Sequence, residues 1–412
     1  MHATPVDKWD AAGILRRLDA LALCTDTPGE ITRLFLSPAH RQAVTVVSAW
    51  MNQAGLSSEL DPSGTLTGHL PAKDPGAPTL MLGSHIDSVR NAGRYDGCLG
   101  VALAVAVAAH FGPRKLPYHL DIRAFGDEEG VRFPVTLTGA HAAAGSFAPE
   151  WLDAVDAAGI SLRQALVDFG LDPAALLAGA CTANPAAYLE IHIEQGPVLE
   201  AHNAPLGIVT AINGAERHDI TVTGMAGHAG TVPMDQRRDA LTAAAQMVLA
   251  VETVALRHAS VVATVGRLAV SPGAANVIPG NVTFTLDLRA PDDALRQTAA
   301  VEIFARLRDV AASRQVTLAH RLRHVAPAVG CDPRLQARLA AAVASLNLPV
   351  IYVPSGAGHD AMVMARQCPM GMLFLRCRGG ISHHPDEHVR EGDVAVALRA
   401  IIEAVRTGSV LS

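Results

Sequence analysis

The chain has 412 residues, half of them apolar and 17% charged, so it can bury a large core and is long enough for two domains. A formal net charge of -6, with Lys and Arg scattered instead of in runs, excludes the footprint of a nucleic-acid binder and points to a small-molecule substrate. Six cysteines, at 24, 98, 181, 331, 368 and 377, include no closely spaced pair, against a zinc ribbon or a disulfide framework; the longest apolar run, Cys98 to Phe111, is too short to span a membrane, and the opening MHATPVDKWDAAG lacks the order of a signal peptide, so a cytoplasmic protein with reduced thiols is expected.

The first strong element is the apolar run Thr79 to Gly83, of the kind that forms a strand buried on both faces of a parallel sheet. It breaks into Gly83-Ser84-His85-Ile86-Asp87, where extended chain puts His85 and Asp87 on the same side. If the imidazole binds a metal, Asp87 is placed to accept its other N–H. Arg94-Tyr95-Asp96-Gly97 then sets a carboxylate just ahead of an all-apolar helix, Leu99 to Ala109; Asp96 is there either an N-cap or a bridge between two metal ions. A second buried strand, Leu120 to Phe125, ends in Asp127-Glu128-Glu129-Gly130. Carboxylates so crowded raise one another's pKa unless solvent or a cation intervenes; with metal present, one Glu can ligate while its neighbour takes a proton from the attacking water. A third strand, Tyr188 to Ile193, runs into Glu190-Ile191-His192-Ile193-Glu194-Gln195-Gly196.

Between residues 213 and 327 the texture changes to alternation. Asp219 to Thr223 reads as a strand, Asp239 to Arg257 as a helix, Val261 to Val270 and Asn281 to Arg289 as strands, Asp292 to Arg314 as a helix and Val316 to His324 as a strand. The order β-α-β-β-α-β predicts a ferredoxin-like α+β sandwich, inserted in a first domain that covers 1–212 and 328–412. Gly224-Met225-Ala226-Gly227-His228-Ala229-Gly230 leaves His228 on an open loop, suited to donating to an oxyanion, and Asn276 could donate to the same oxygen or serve as a turn residue. Alternation puts Thr283, Thr285, Asp287 and Arg289 on the polar face of their strand; Arg289 is a substrate clamp or a surface ion pair with Asp287 or Asp292.

Buried-strand texture resumes at Pro349 to Val353 and Met372 to Leu375, and the chain then reaches Gly379-Gly380-Ile381-Ser382-His383-His384-Pro385. A mostly parallel sheet with helices on both faces is the economical fold for the first domain, and ligands of such α/β folds bind at the C-terminal ends of the strands. Four strand ends each deliver His, Asp or Glu, enough for a binuclear site of nitrogen and oxygen ligands. Spacing alone leaves His383 and His384 equivalent.

Together, His85-x-Asp87, Tyr95-Asp96-Gly97, Asp127-Glu128-Glu129-Gly130, His192-Ile193-Glu194-Gln195-Gly196 and Ser382-His383-His384-Pro385 resemble the binuclear M20 metallopeptidase superfamily, in its order and over nearly the whole chain. The His-Ile-Glu-Gln-Gly string is similar to that of the hydantoinase/carbamoylase branch, which contains N-carbamoyl-L-amino acid hydrolases, allantoate amidohydrolases and β-ureidopropionases. The resemblance implies two divalent ions, zinc or manganese first and nickel or cobalt as alternatives: His85 and His192 on one, Glu129 and His383 on the other, Asp96 bridging, Glu128 as general base. It implies that Arg289 clamps the substrate carboxylate, that Gln195 contacts the ureido group and that the loop with His359 lines the pocket. It further implies a homodimer paired through the inserted domain, with His228 and Asn276 reaching the partner's site.

Two features depart from the family pattern: His384, where many relatives have Asn, and Cys98, a thiol near Asp96 that could alter metal preference or oxidise. The cluster Leu375-Arg376-Cys377-Arg378 suggests extra cationic donors and hence allantoate among the ureido acids. The rival readings are a dipeptidase or aminopeptidase on the same scaffold, disfavoured because peptidase branches usually place a carboxylate where His192 stands, and an inactive binding protein, disfavoured by the intact ligand set.

Overall fold

A computed structural model describes residues 9–406, and residues 1–8, on which the reading of the amino terminus rests, lie outside that range. The strands are, in chain order, β1 (Ser57–Leu60), β2 (Leu66–Leu70), β3 (Thr79–His85), β4 (His119–Phe125), β5 (Ala187–Ile193), β6 (Leu206–Ile212), β7 (Gly214–Thr223) and β8 (Gly227–His228). They continue with β9 (Val262–Thr264), β10 (Leu268–Ser271), β11 (Val277–Ile278), β12 (Asn281–Ala290), β13 (Thr317–Ala326), β14 (Val329–Gly330), β15 (Tyr352–Ser355) and β16 (Met370–Leu375). The chain forms two compact units, one of residues up to 210, 331–353 and 358 onward, the other of residues 211–330 and 354–357.

The first unit is built on a sheet in the order β1-β2-β4-β3-β5-β16-β6, with β15 also against β6. Its four central strands, β4, β3, β5 and β16, are parallel, and the flanking pairs are antiparallel. The apolar runs behave as their composition demands: every residue of β5 and β16 is buried, as is all of β3 past Thr79. Strand β4 alternates buried and half-buried positions instead, because its charged Asp121 and Arg123 need water on one side. The helix Cys98–Phe111 packs between β3 and β5 beneath it and the helices Ala11–Leu21 and Glu391–Arg406 outside it, which is why Cys98 to Ala108 are buried all round. On the opposite face Asp360–Met364 packs on β5 and β16 and on the helix Thr138–Ala143.

The second unit is an antiparallel sheet in the order β10-β12-β7-β13, with β9 also on β12. Two helices, Ala240–Ala255 and Asp293–Ser313, cover one face and bury Val282, Phe284, Leu286 and Leu288 of β12. Each helix starts where an aspartate accepts its first N–H groups, Asp239 and Asp292, so Asp292 is a cap and not a partner of Arg289. The single strand expected over Val261 to Val270 is two, β9 and β10, which pair with separate stretches of β12, Asp287 to Arg289 and Asn281 to Phe284. A ribbon that the alternation did not predict, β8 with β11, pairs His228 with Val277.

Candidate metal centre

All four parallel strands end in, or just before, a functional segment, and their shared direction collects those segments at one edge of the sheet. His85, the last residue of β3, and His192, next to last in β5, are buried with Nε2 atoms 3.4 Å apart. Their Nδ1 atoms lie near backbone oxygens, 3.2 Å from Asp87 O for His85 and 2.9 Å from Ile193 O for His192, which leaves each Nε2 to face inward. Asp96 Oδ1 lies 3.1 Å from His192 Nε2 and 3.7 Å from His85 Nε2; Asp96 Oδ2 lies 3.0 Å from His383 Nε2, itself 3.5 Å from Glu129 Oε2. One carboxylate thus turns its two oxygens to two groups, His85-Asp96-His192 and Asp96-Glu129-His383, each compact enough for one ion. Asp96 Oδ1 is buried without a hydrogen bond of its own, a costly state for a carboxylate oxygen unless a cation meets it.

Local chain chemistry explains how these groups converge. Gly97, at φ 64°, passes under the His85 ring, and a Cβ there would stand 2.5 Å from three ring atoms, so the tight turn after Asp96 requires glycine. The following helix is capped by Gly97 with no side-chain bond, which removes the N-cap alternative for Asp96. The Glu128–Glu129 turn is held by Asp87, whose Oδ1 and Oδ2 accept the N–H groups of Glu128 and Glu129, both at 3.2 Å. Asp87 was expected to take the His85 N–H; its carboxylate stands 3.6 Å from Nδ1 and spends its hydrogen bonds on the turn.

The electrostatics are those of a site short of positive charge. Burial pushes Glu128 well above the usual carboxylate range, with Glu129, Asp360 and Asp87 adding and His85 opposing. Burial likewise raises Glu129 to about 7, while Asp96 is held well below its ordinary value because the His192 and His383 imidazoles outweigh its burial. His85 is raised well above its usual value, since Asp87, Glu128 and Asp96 together overcome a burial that would lower it. Imidazole and carboxylate donors around excess negative charge are the environment a divalent cation neutralises, so the residues present fit two such ions.

His383 joins this cluster and His384 does not: the exposed His384 ring accepts the Asp386 N–H through Nδ1 at 3.1 Å. Gln195 Nε2 donates to Asp96 Oδ2 at 2.9 Å and to Ser382 Oγ at 3.0 Å. His359, expected to line the pocket, is 1% exposed and packs edge-on against His192, ring centroids 4.5 Å apart. Glu190, near both, accepts from Ser84 Oγ, Tyr188 OH and the Ala361 N–H. In the second unit, Asn276 O accepts the Ala229 N–H at 3.0 Å, which ties the His228 and Asn276 loops together. Arg289 meets Asp287 through Nε at 2.7 Å and Nη2 at 3.2 Å and donates from Nη1 to Gly356 O at 2.7 Å.

Cys98 is buried, its Sγ accepts from Arg33 Nη2 at 3.1 Å, and burial pushes its pKa up. The expectation for Arg376 needs correction. Arg376 forms a buried two-point ion pair with Asp393, 2.9 Å at each contact, and donates to Asn203, so it is no spare cation for a second ureido arm. Sequence reasoning missed Glu387, which is 4% exposed and accepts the N–H groups of Tyr95 and Asp96; an acid four residues after His383 was the one available signal.

The family model for peptidases M20/M25/M40 matches residues 81–407, and the chain belongs to that family. Within it, the likeness is to amidohydrolases. The chain is 39% identical to an allantoate deiminase of Arabidopsis thaliana, over 94% of this chain and 80% of that one, and 40% identical to an N-carbamoyl-L-amino acid amidohydrolase of Geobacillus stearothermophilus, over 92% and 93%. Its fold matches a solved amidase of the hydantoinase/carbamoylase family from Burkholderia multivorans with a TM-score of 0.90 at 30% identity, covering 98% of this chain and 99% of that one. The protein is therefore an enzyme, a hydrolase of the amidohydrolase kind.

Proposed function

We propose that the protein hydrolyses the terminal ureido C–N bond of a small ureido acid, allantoate or an N-carbamoyl-L-amino acid, using two divalent ions per subunit. The observation that carries this reading is Asp96, whose two oxygens face two separate ligand groups with the Glu128 carboxylate 3.9 Å from His85 beside them. His85 and His192 would hold one ion, Glu129 and His383 the other, and Asp96 would bridge; the donor set suits zinc or manganese, and also nickel or cobalt. Ions held there supply an acidified water and a polarised carbonyl.

The chain's own residues do the rest. Glu128 takes a proton from the water whose oxygen joins the ureido carbon. His228 and Asn276 donate to the oxygen that gains charge. Glu128 passes the proton to the terminal nitrogen as the C–N bond breaks; ammonia leaves, and the remaining carbamate loses carbon dioxide. Asp287 and Gly356 use three of the five Arg289 N–H groups, which leaves one on each terminal nitrogen for the substrate carboxylate. Gln195 turns from Asp96 to the ureido group. The reading includes a cytoplasmic homodimer in which the inserted domain, 213–327, pairs two copies and each supplies His228 and Asn276 to the other's site.

With Arg376 committed to Asp393, the ground for preferring allantoate over the N-carbamoyl acids is gone, and identities of 39% and 40% to the two named relatives do not separate the substrates. Ammonia release by protein loaded with zinc or manganese, on allantoate, a panel of N-carbamoyl-L-amino acids and dipeptide controls, tests the reaction class. Turnover of a ureido acid is expected, and cleavage of dipeptides alone would overturn it in favour of the peptidase reading. Glu128→Gln should keep its metal and lose about 100-fold or more in kcat.

A further inference from the structure

We infer that Glu387 is a positioning residue for one of the two ions, the one held by Asp96, Glu129 and His383, and that it acts through Ser382. The inference rests on the two-ion reading above. Glu387 Oε1 accepts the N–H groups of Tyr95 at 2.7 Å and Asp96 at 3.1 Å, while Oε2 lies 3.2 Å from Ser382 Oγ. One buried carboxylate therefore ties the backbone under the bridging Asp96 to the turn that carries His383. The molecule gives up a side chain to seat it: a Cβ on Gly93 would stand 2.3 Å from Glu387 Cβ and 2.4 Å from its Cδ and Oε1.

The two ends of the site differ in how they are held. His85 and His192 are buried residues of β3 and β5, fixed by the sheet itself. His383 is a loop residue at φ 56° whose side chain is 49% exposed, so its position depends on what its turn is tied to. Ser382 is that tie. Its single hydroxyl proton has two acceptors, Asp96 Oδ2 at 3.0 Å and Glu387 Oε2 at 3.2 Å, and it can serve one at a time. A cation on Asp96 Oδ2 makes that oxygen the poorer acceptor and sends the proton to Glu387. Glu387, as acceptor, thus keeps Asp96 Oδ2 available to an ion.

Glu387→Gln tests this without emptying the site. The amide keeps an oxygen for the Tyr95 and Asp96 N–H groups and puts an N–H opposite Ser382 Oγ, which drives the serine proton onto Asp96 Oδ2. Metal bound per subunit is measured by elemental analysis after equilibrium dialysis against buffered zinc and, separately, manganese, with melting temperature recorded alongside. Wild type is expected to bind two ions, and Glu387→Gln to keep the tighter one unchanged while the second weakens about tenfold or more. Ser382→Ala, which removes the contested proton, should return towards wild-type affinity when combined with Glu387→Gln. Unchanged second-ion affinity in Glu387→Gln, equal weakening of both ions, or no recovery in the double variant would each overturn the inference. Failure of wild type to bind two ions would overturn the two-ion reading itself.

Discussion

Asp87 shows how one residue can organise a candidate site through hydrogen bonds. Its two carboxylate oxygens hold the N–H groups of Glu128 and Glu129, and its backbone oxygen lies against His85, so the proposed base and two proposed ligands are set by three contacts from one residue. Asp87→Ala is expected to lower metal affinity about 10- to 100-fold and to reduce kcat with it. Dialysis against a zinc series and steady-state rates check this; unchanged metal affinity would mean that the turn holds itself. His85, His192 and the Glu128–Glu129 pair were legible in the sequence because each lies at or just past the end of a mainly apolar strand. Glu387 was not, because its bond to Asp96 joins positions 291 residues apart and no local pattern carries that information.

Among the elements, β16 and the helix Glu391–Arg406 are joined at their polar ends by Arg376 and Asp393, a pair with side chains only 8% and 9% exposed. Removing one partner strands a buried charge, so Arg376→Ala should cost about 3 kcal/mol of stability. It should leave the ratio of kcat/KM for allantoate to that for N-carbamoyl acids unchanged. Thermal unfolding with kinetics on both substrates separates the two; a shifted ratio with an unchanged melting temperature would restore a substrate role to Arg376. The boundaries of β3, β5 and the long central helix were readable from hydrophobic runs. The split of β9 from β10 and the ribbon of β8 with β11 depend on partners in other strands and were not.

For the whole molecule, the proposed dimer makes a prediction that neither subunit alone can satisfy. If His228 serves the partner's site, Glu128→Gln and His228→Ala are each inactive as homodimers. Subunits unfolded together and refolded as an equal mixture should then regain about one quarter of wild-type activity, since half the dimers are mixed and each holds one complete site. No recovery, with mixed dimers present by mass, would place His228 in its own subunit's site.

The sequence by itself determined which donors are present and in what order, because residue type sets ligand chemistry and hydrophobic period marks where each buried strand ends. It also carried the family, since the motifs are local strings. Between His383 and His384, spacing was silent and the family resemblance already pointed to His383. Only the tertiary structure decided that Asp96 turns one oxygen to each ligand group, that Arg376 is committed to Asp393, and that Glu387 lies beneath the centre. Each of these depends on the direction of a side chain toward residues distant in the chain, which is set by packing once the whole sheet has formed.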